Sequence, residues 1–143
     1  MLYAGTNKPL PRKNWVKEAP DVHVQSLIEY DAKIWQHFSK PEVQQIGSTS
    51  GCGCDFPNVM YQNQGWPLYD DAETDEEWEA SQHFNREALV SLLRSSGEEV
   101  IELYGVWAGD FDKEPKIRED ISLHRILDPD FYFKEQGFLT VKR

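Results

Sequence analysis

Asn85-Arg86-Glu87-Ala88-Leu89-Val90-Ser91-Leu92-Leu93-Arg94-Ser95-Ser96-Gly97 runs directly into Glu98-Glu99-Val100-Ile101-Glu102-Leu103-Tyr104-Gly105-Val106-Trp107. In the first half, Ala88, Leu89, Leu92 and Leu93 recur at the three- and four-residue spacing of an amphipathic helix. Asn85 suits the position before such a helix, because its side-chain oxygen can accept from a first-turn amide. Gly97 stands where a left-handed residue closes a helix. In the second half, Val100, Tyr104 and Val106 fall on one face of an extended chain, and Ile101, Leu103 and Trp107 on the other. A strand apolar on both faces belongs in the middle of a sheet. The passage therefore predicts a capped helix feeding a central strand.

Weaker signals surround it. Upstream, positions 70–79 hold Asp70, Asp71, Glu73, Asp75, Glu76, Glu77 and Glu79, and Thr74 with Glu77 forms a capping box that starts a helix. The acids lack the alternation and the Gly of a calcium-binding loop. They read as a solvated helix start favoured by the helix dipole. Residues 58–71 are rich in turn formers and read as loop. Residues 43–46 and 23–28 read as strands, and 2–4 as a short first strand. Between the last two, Pro9, Pro11 and Pro20 suit an extended surface path. Tyr30, Ile34, Trp35 and Phe38 predict a short amphipathic helix over 29–38, ended by Pro41. Downstream, 117–127 is open between strand and short helix. Residues 131–135 and 138–141 read as a hairpin turned at Gln136-Gly137. Strand and helix do not alternate regularly. The expected architecture is a single α+β domain over residues 1–143, an antiparallel or mixed sheet with a few helices on one face. Strand order is not legible.

Twenty-five acids against fifteen Lys and Arg leave a net charge of −10. Sequence-independent nucleic-acid binding needs the opposite sign, as does docking on anionic lipid. A basic protein or a metal cation is compatible with it. No apolar run approaches the ~20 residues of a membrane span. Met1-Leu2-Tyr3-Ala4-Gly5 has no basic leader pattern, and two cysteines make no disulfide scaffold. The expected compartment is the cytoplasm. Five Trp, six Tyr and seven Phe supply rings for a core and for a binding surface.

The richest chemistry lies in Gly47-Ser48-Thr49-Ser50-Gly51-Cys52-Gly53-Cys54. In an extended chain Cys52 and Cys54 share a face. Thiolates favour zinc and other soft metals, but a closed zinc site needs four ligands. The remainder would come from His23, His37, His83, His124 or carboxylates. A redox pair is the second reading, although the Cα atoms of such residues stand ~7 Å apart, at the edge of disulfide reach. Burial as small apolar side chains is the plainest. The 47–51 stretch is close to a nucleophile elbow, but its centre is Thr49 rather than Ser. It lacks the Lys of a P-loop, and its backbone amides offer an anion nest.

Glu102, between Ile101 and Leu103, is a candidate general acid or base, or the partner of a cation on the next strand. Asp110 follows the strand's end. Ser48, Ser50, Cys52, Cys54 and Asp110 are the expected binding residues.

The segments Gly51-Cys52-Gly53-Cys54, Leu103-Tyr104-Gly105-Val106-Trp107-Ala108-Gly109-Asp110 and Asp128-Pro129-Asp130-Phe131-Tyr132-Phe133 together resemble an uncharacterised family of small bacterial proteins. The resemblance spans most of the chain and implies no activity or site. With no nucleophile–base pair in the sequence, the expected function is a small binding or regulatory domain without catalysis or cofactor. Its partner would be a protein, for example a basic protein it inhibits, or a small ligand. The alternative is a zinc- or thiol-dependent protein using Cys52 and Cys54.

Overall fold

The computed structural model describes residues 1–51, 56 and 75–143. Among these, six strands form one mixed sheet: β1 (Leu2–Thr6), β2 (His23–Ser26), β3 (Glu42–Gly47), β4 (Val100–Gly105), β5 (Ile117–Ser122) and β6 (Gly137–Lys142). Their order is β2-β3-β1-β4-β6-β5. Every neighbouring pair is antiparallel except β5 with β6. β4 lies inside the sheet between β1 and β6, as its two apolar faces require. The α+β class follows: one long helix, α1 (Asp75–Ser95), packs on the sheet.

The pleat divides the core. Leu2, Ala4, Ile101, Leu103, Leu139 and Val141 meet Leu89, Val90 and Leu93 of α1. Tyr3, Tyr104 and Phe138 point the other way, onto Ile34 and Phe111. Tyr3 stands opposite Tyr104 in the β1–β4 register. Leu89 and Leu93 are fully buried, and each such side chain contributes about 1.5–3 kcal/mol through burial.

Four local expectations change. The helix begins at Asp75, so Asn85 is an interior residue and not a cap. The start agrees with the acidic first turn, although Thr74 of the capping box lies outside the described residues, as does the 58–71 stretch. Over 29–38 the chain forms a 3₁₀ helix, Ala32–His37. Only Ile34 and His37 of that helix are buried, three residues apart, which is the alignment of a three-residue turn. Tyr30 and Trp35 remain exposed. The 117–127 stretch is both of the elements it suggested: β5, then a 3₁₀ helix, Leu123–Leu127, whose start Ser122 caps by accepting from the Arg125 amide.

The C-terminal hairpin does not form. β6 pairs with β4 and β5, while Phe131 and Phe133 stack edge to face and pack with Phe56 in the helix-side core. Gln136, with φ 55°, redirects the chain into β6, and its carbonyl accepts from the Lys116 amide at 2.9 Å.

β3 and β4 are both antiparallel to β1, so they end at the same edge of the sheet. The turn after Gly47 and the loop after Gly105 therefore emerge side by side, separated by the start of β1. Among the described residues no helix is long and apolar enough to cross a membrane.

Candidate binding site at the end of strand β3

Beyond Gly47 the chain turns at once. The Gly51 amide donates to the Ser48 carbonyl at 3.1 Å, and Gly51 takes a φ of 87° that other residues rarely adopt. Three elements hold this turn. From α1, the Asn85 oxygen accepts from the Thr49 amide and the Asn85 nitrogen donates to Thr49 Oγ1, each at 3.1 Å. From the proline-rich arm, the Trp15 indole donates to the Thr49 carbonyl at 2.7 Å. The Trp15 ring also lies against Gly51, where a Cβ would come within 3.2 Å of it. From β2, the His23 ring covers Gly47.

Burial depresses the His23 pKa below its ordinary value, while the backbones of Ser48 and Asp21 act weakly in the other direction. The ring is therefore neutral at physiological pH.

These contacts decide among the readings of 47–51. Ser48 is fully buried and its hydroxyl lies 3.1 Å from that of exposed Ser50. A hydroxyl closed to solvent does not serve as a nucleophile. The hydroxyl of the central Thr49 accepts from Asn85 and is engaged within the fold. Of the amides that an anion nest would use, those of Thr49 and Gly51 are bonded within the protein. What the arrangement offers is a rigid turn beside a partly exposed indole. Cys52 and Cys54 lie outside the described residues.

Asp110 belongs to a different turn. Its amide closes a turn onto the Trp107 carbonyl at 3.1 Å, and its carboxylate pairs with Lys113 at 2.9 Å. Topology brings it to the same end of the sheet as Ser48, but its charge is used locally. Glu102 is buried in β4 as expected, yet its partner is Ser39 and not a strand cation. The Ser39 amide donates to it at 2.8 Å and the Ser39 hydroxyl donates as well. A carboxylate held in this way is a structural tie between β4 and the chain leading to β3.

The histidines are dispersed. His37 bonds the Phe111 carbonyl at 2.9 Å, and His83 on the surface of α1 meets Glu87 at 3.4 Å. Among the described residues no three His, Cys, Asp or Glu side chains converge as metal ligands.

Trp15 and Asn85 are the residues that sequence reasoning missed. Asn85 shares the stripe of Leu89 and Leu93, and a polar residue on a buried stripe is itself a signal of a specific partner. Trp15 is the one aromatic residue of the proline-rich arm between β1 and β2. No family model matches the chain, nor does any curated protein or solved structure.

Proposed function

We propose that this protein is a small cytoplasmic binding domain without a catalytic step, and that the 48–51 turn with Trp15 is the centre of its recognition surface. The single observation that carries the reading is the Thr49 anchor. Amide, hydroxyl and carbonyl of this one residue are all bonded from distant elements, while a large ring beside them stays exposed. Such a rigid, amphipathic corner loses little entropy on binding a partner. Kinship with the small bacterial proteins it resembles belongs to the same proposal.

The test is selection from a random peptide display library against wild-type protein and against Trp15→Ser. Enrichment on the wild type alone supports the reading. No enrichment, or equal enrichment on both, overturns it. Elemental analysis of the purified protein tests the rival. Stoichiometric zinc that disappears in Cys52→Ser or Cys54→Ser would make the metal reading the better one, because both thiolates would then be ligands.

A further inference from the structure

The buried face of α1 changes character along its length. Leu89, Val90 and Leu93 enter the core, and one to two turns before them the same face carries Gln82, Asn85 and Arg86, all buried. Asn85 is satisfied by Thr49 and by the Ser81 carbonyl. The other two are not. Gln82 is 6% exposed, and neither its amide nitrogen nor its amide oxygen has a partner among the described residues. Arg86 is 8% exposed, and its Nε–H is unpartnered as well. Four residues apart on a helix, the two side chains leave α1 on one side, a turn from each other.

Arg86 also lacks a counter-charge. Its Nη2 donates to the Pro129 and Phe131 carbonyls at 3.2 and 3.3 Å, long for a charged donor. Tyr132 lies beside it, the ring centre 6.0 Å from the guanidinium carbon. The chain has 25 acids, yet among the described residues none forms an ion pair with this guanidinium. Asp130 favours its charge, but both terminal nitrogens of Arg125 hold that carboxylate. A buried cation without an anion and a buried amide without any partner each cost free energy. Such groups call for something that satisfies them. Pro129 is exposed and Tyr132 half-buried, so the pair lies just beneath the surface.

We propose that Gln82 and Arg86 form a binding site for a small carboxylate that carries a hydroxyl beside its carboxyl group. Arg86 Nε and the Gln82 nitrogen donate to the carboxylate, and the Gln82 oxygen accepts from the hydroxyl. One cation matches one carboxylate. A phosphate would bring further charge and a third oxygen that these donors leave unmet. A peptide terminus also offers a carboxylate and a donor, but the rest of its chain would have to pass a surface that leaves both side chains under one-tenth exposed. The inference goes beyond the recognition surface around Trp15, and neither reading depends on the other.

The probe is sodium glycolate, with sodium chloride of equal ionic strength as the reference. At about 20 mM glycolate, wild type should melt about 2–5 °C higher, as expected for a millimolar ligand above its Kd. Acetate, which lacks the hydroxyl, should give less than half of that shift. Gln82→Met is close in size and apolar. It should melt no lower than wild type, because it removes two unpaired buried atoms, and it should lose the glycolate shift. Arg86→Lys should lose most of the shift. Trp35→Ser, an exposed position on the other face of the sheet, should keep it in full. No glycolate shift in wild type would mean that a buried water satisfies the pair, and the proposal falls. It falls equally if Gln82→Met keeps the shift, which places binding elsewhere, or melts clearly lower, which makes the amide a structural partner. A larger shift with phosphate, or with N-acetylglycine as a mimic of a peptide terminus, would also overturn it in favour of that ligand. None of these outcomes bears on the Trp15 surface, which the peptide selection tests separately.

Discussion

The His23 ring lies directly across Gly47: a Cβ at that glycine would come within 1.9 Å of the ring's Cε1 and 2.1 Å of Nε2. The two residues are cross-strand partners in the β2–β3 register. The glycine is needed for this close approach and not for an unusual backbone angle. Gly47→Ala should therefore cost about 1–3 kcal/mol, the range for forcing a methyl into a packed site. In a His23→Ala background most of that cost should disappear. A urea double-mutant cycle measures the coupling, and additive losses would show that the contact is not what excludes the methyl.

His23 also gives the protein a pH dependence with a definite sign. Burial holds its folded pKa below the ordinary value of 6.5. Above that value the ring is neutral in both states and contributes nothing to the slope. As the pH falls below it, the unfolded chain takes up a proton that the folded chain refuses, so stability declines until the folded pKa is passed. Glu135 works oppositely: burial raises its pKa above 4.5, and acidification relieves that penalty. Urea midpoints from pH 7.5 to 5 should fall for wild type and fall less for His23→Gln. Identical slopes would remove His23 as the cause.

Asn85 anchors the candidate site, and Asn85→Ala should loosen it. The substitution leaves the Thr49 amide and hydroxyl without their partner, a loss of about 1–3 kcal/mol, offset by up to ~0.7 kcal/mol of better helix propensity. The diagnostic is local. Hydrogen exchange at the Thr49 amide should accelerate more than exchange in β4. Unchanged protection at Thr49 would show that the turn holds itself.

The two leucines at the end of α1 should separate. Leu93 is fully buried, and Leu93→Ala should cost about 2–5 kcal/mol. Leu92 packs on the same core but is only half-buried, so Leu92→Ala should cost clearly less. Equal losses in a denaturant titration would show Leu92 to be as deeply buried as Leu93.

With a net charge of −10, the protein should not retard a short DNA or RNA probe at micromolar concentration and physiological salt. A salt-sensitive shift would reveal a basic surface that the composition hides.

The α+β class, the helix ending before Gly97, the interior position of β4 and the burial of Leu89 and Leu93 were all legible along the chain. Each depends on neighbours a few residues apart, where side-chain periodicity and capping act directly. Where local signals competed, the chain alone misled. Asn85 looks like a cap, but an acidic first turn ten residues earlier starts the helix, and the amide reaches Thr49 instead. Phe131 and Phe133 alternate like a strand, yet their rings gain more by packing with Phe56 in the core on the α1 side.

The site itself was only half legible. The 47–51 turn was evident from its glycines and hydroxyls. Its meaning came from Trp15, His23 and Asn85, which are 34, 24 and 36 residues from their partners Thr49, Gly47 and Thr49 respectively. Strand order decides such meetings. It is set by the total burial of both sheet faces and by closing long loops, whose entropic cost changes only slowly with length. No short window of sequence contains those terms, so the way the turn is held became visible only once β2, β3 and α1 were in place.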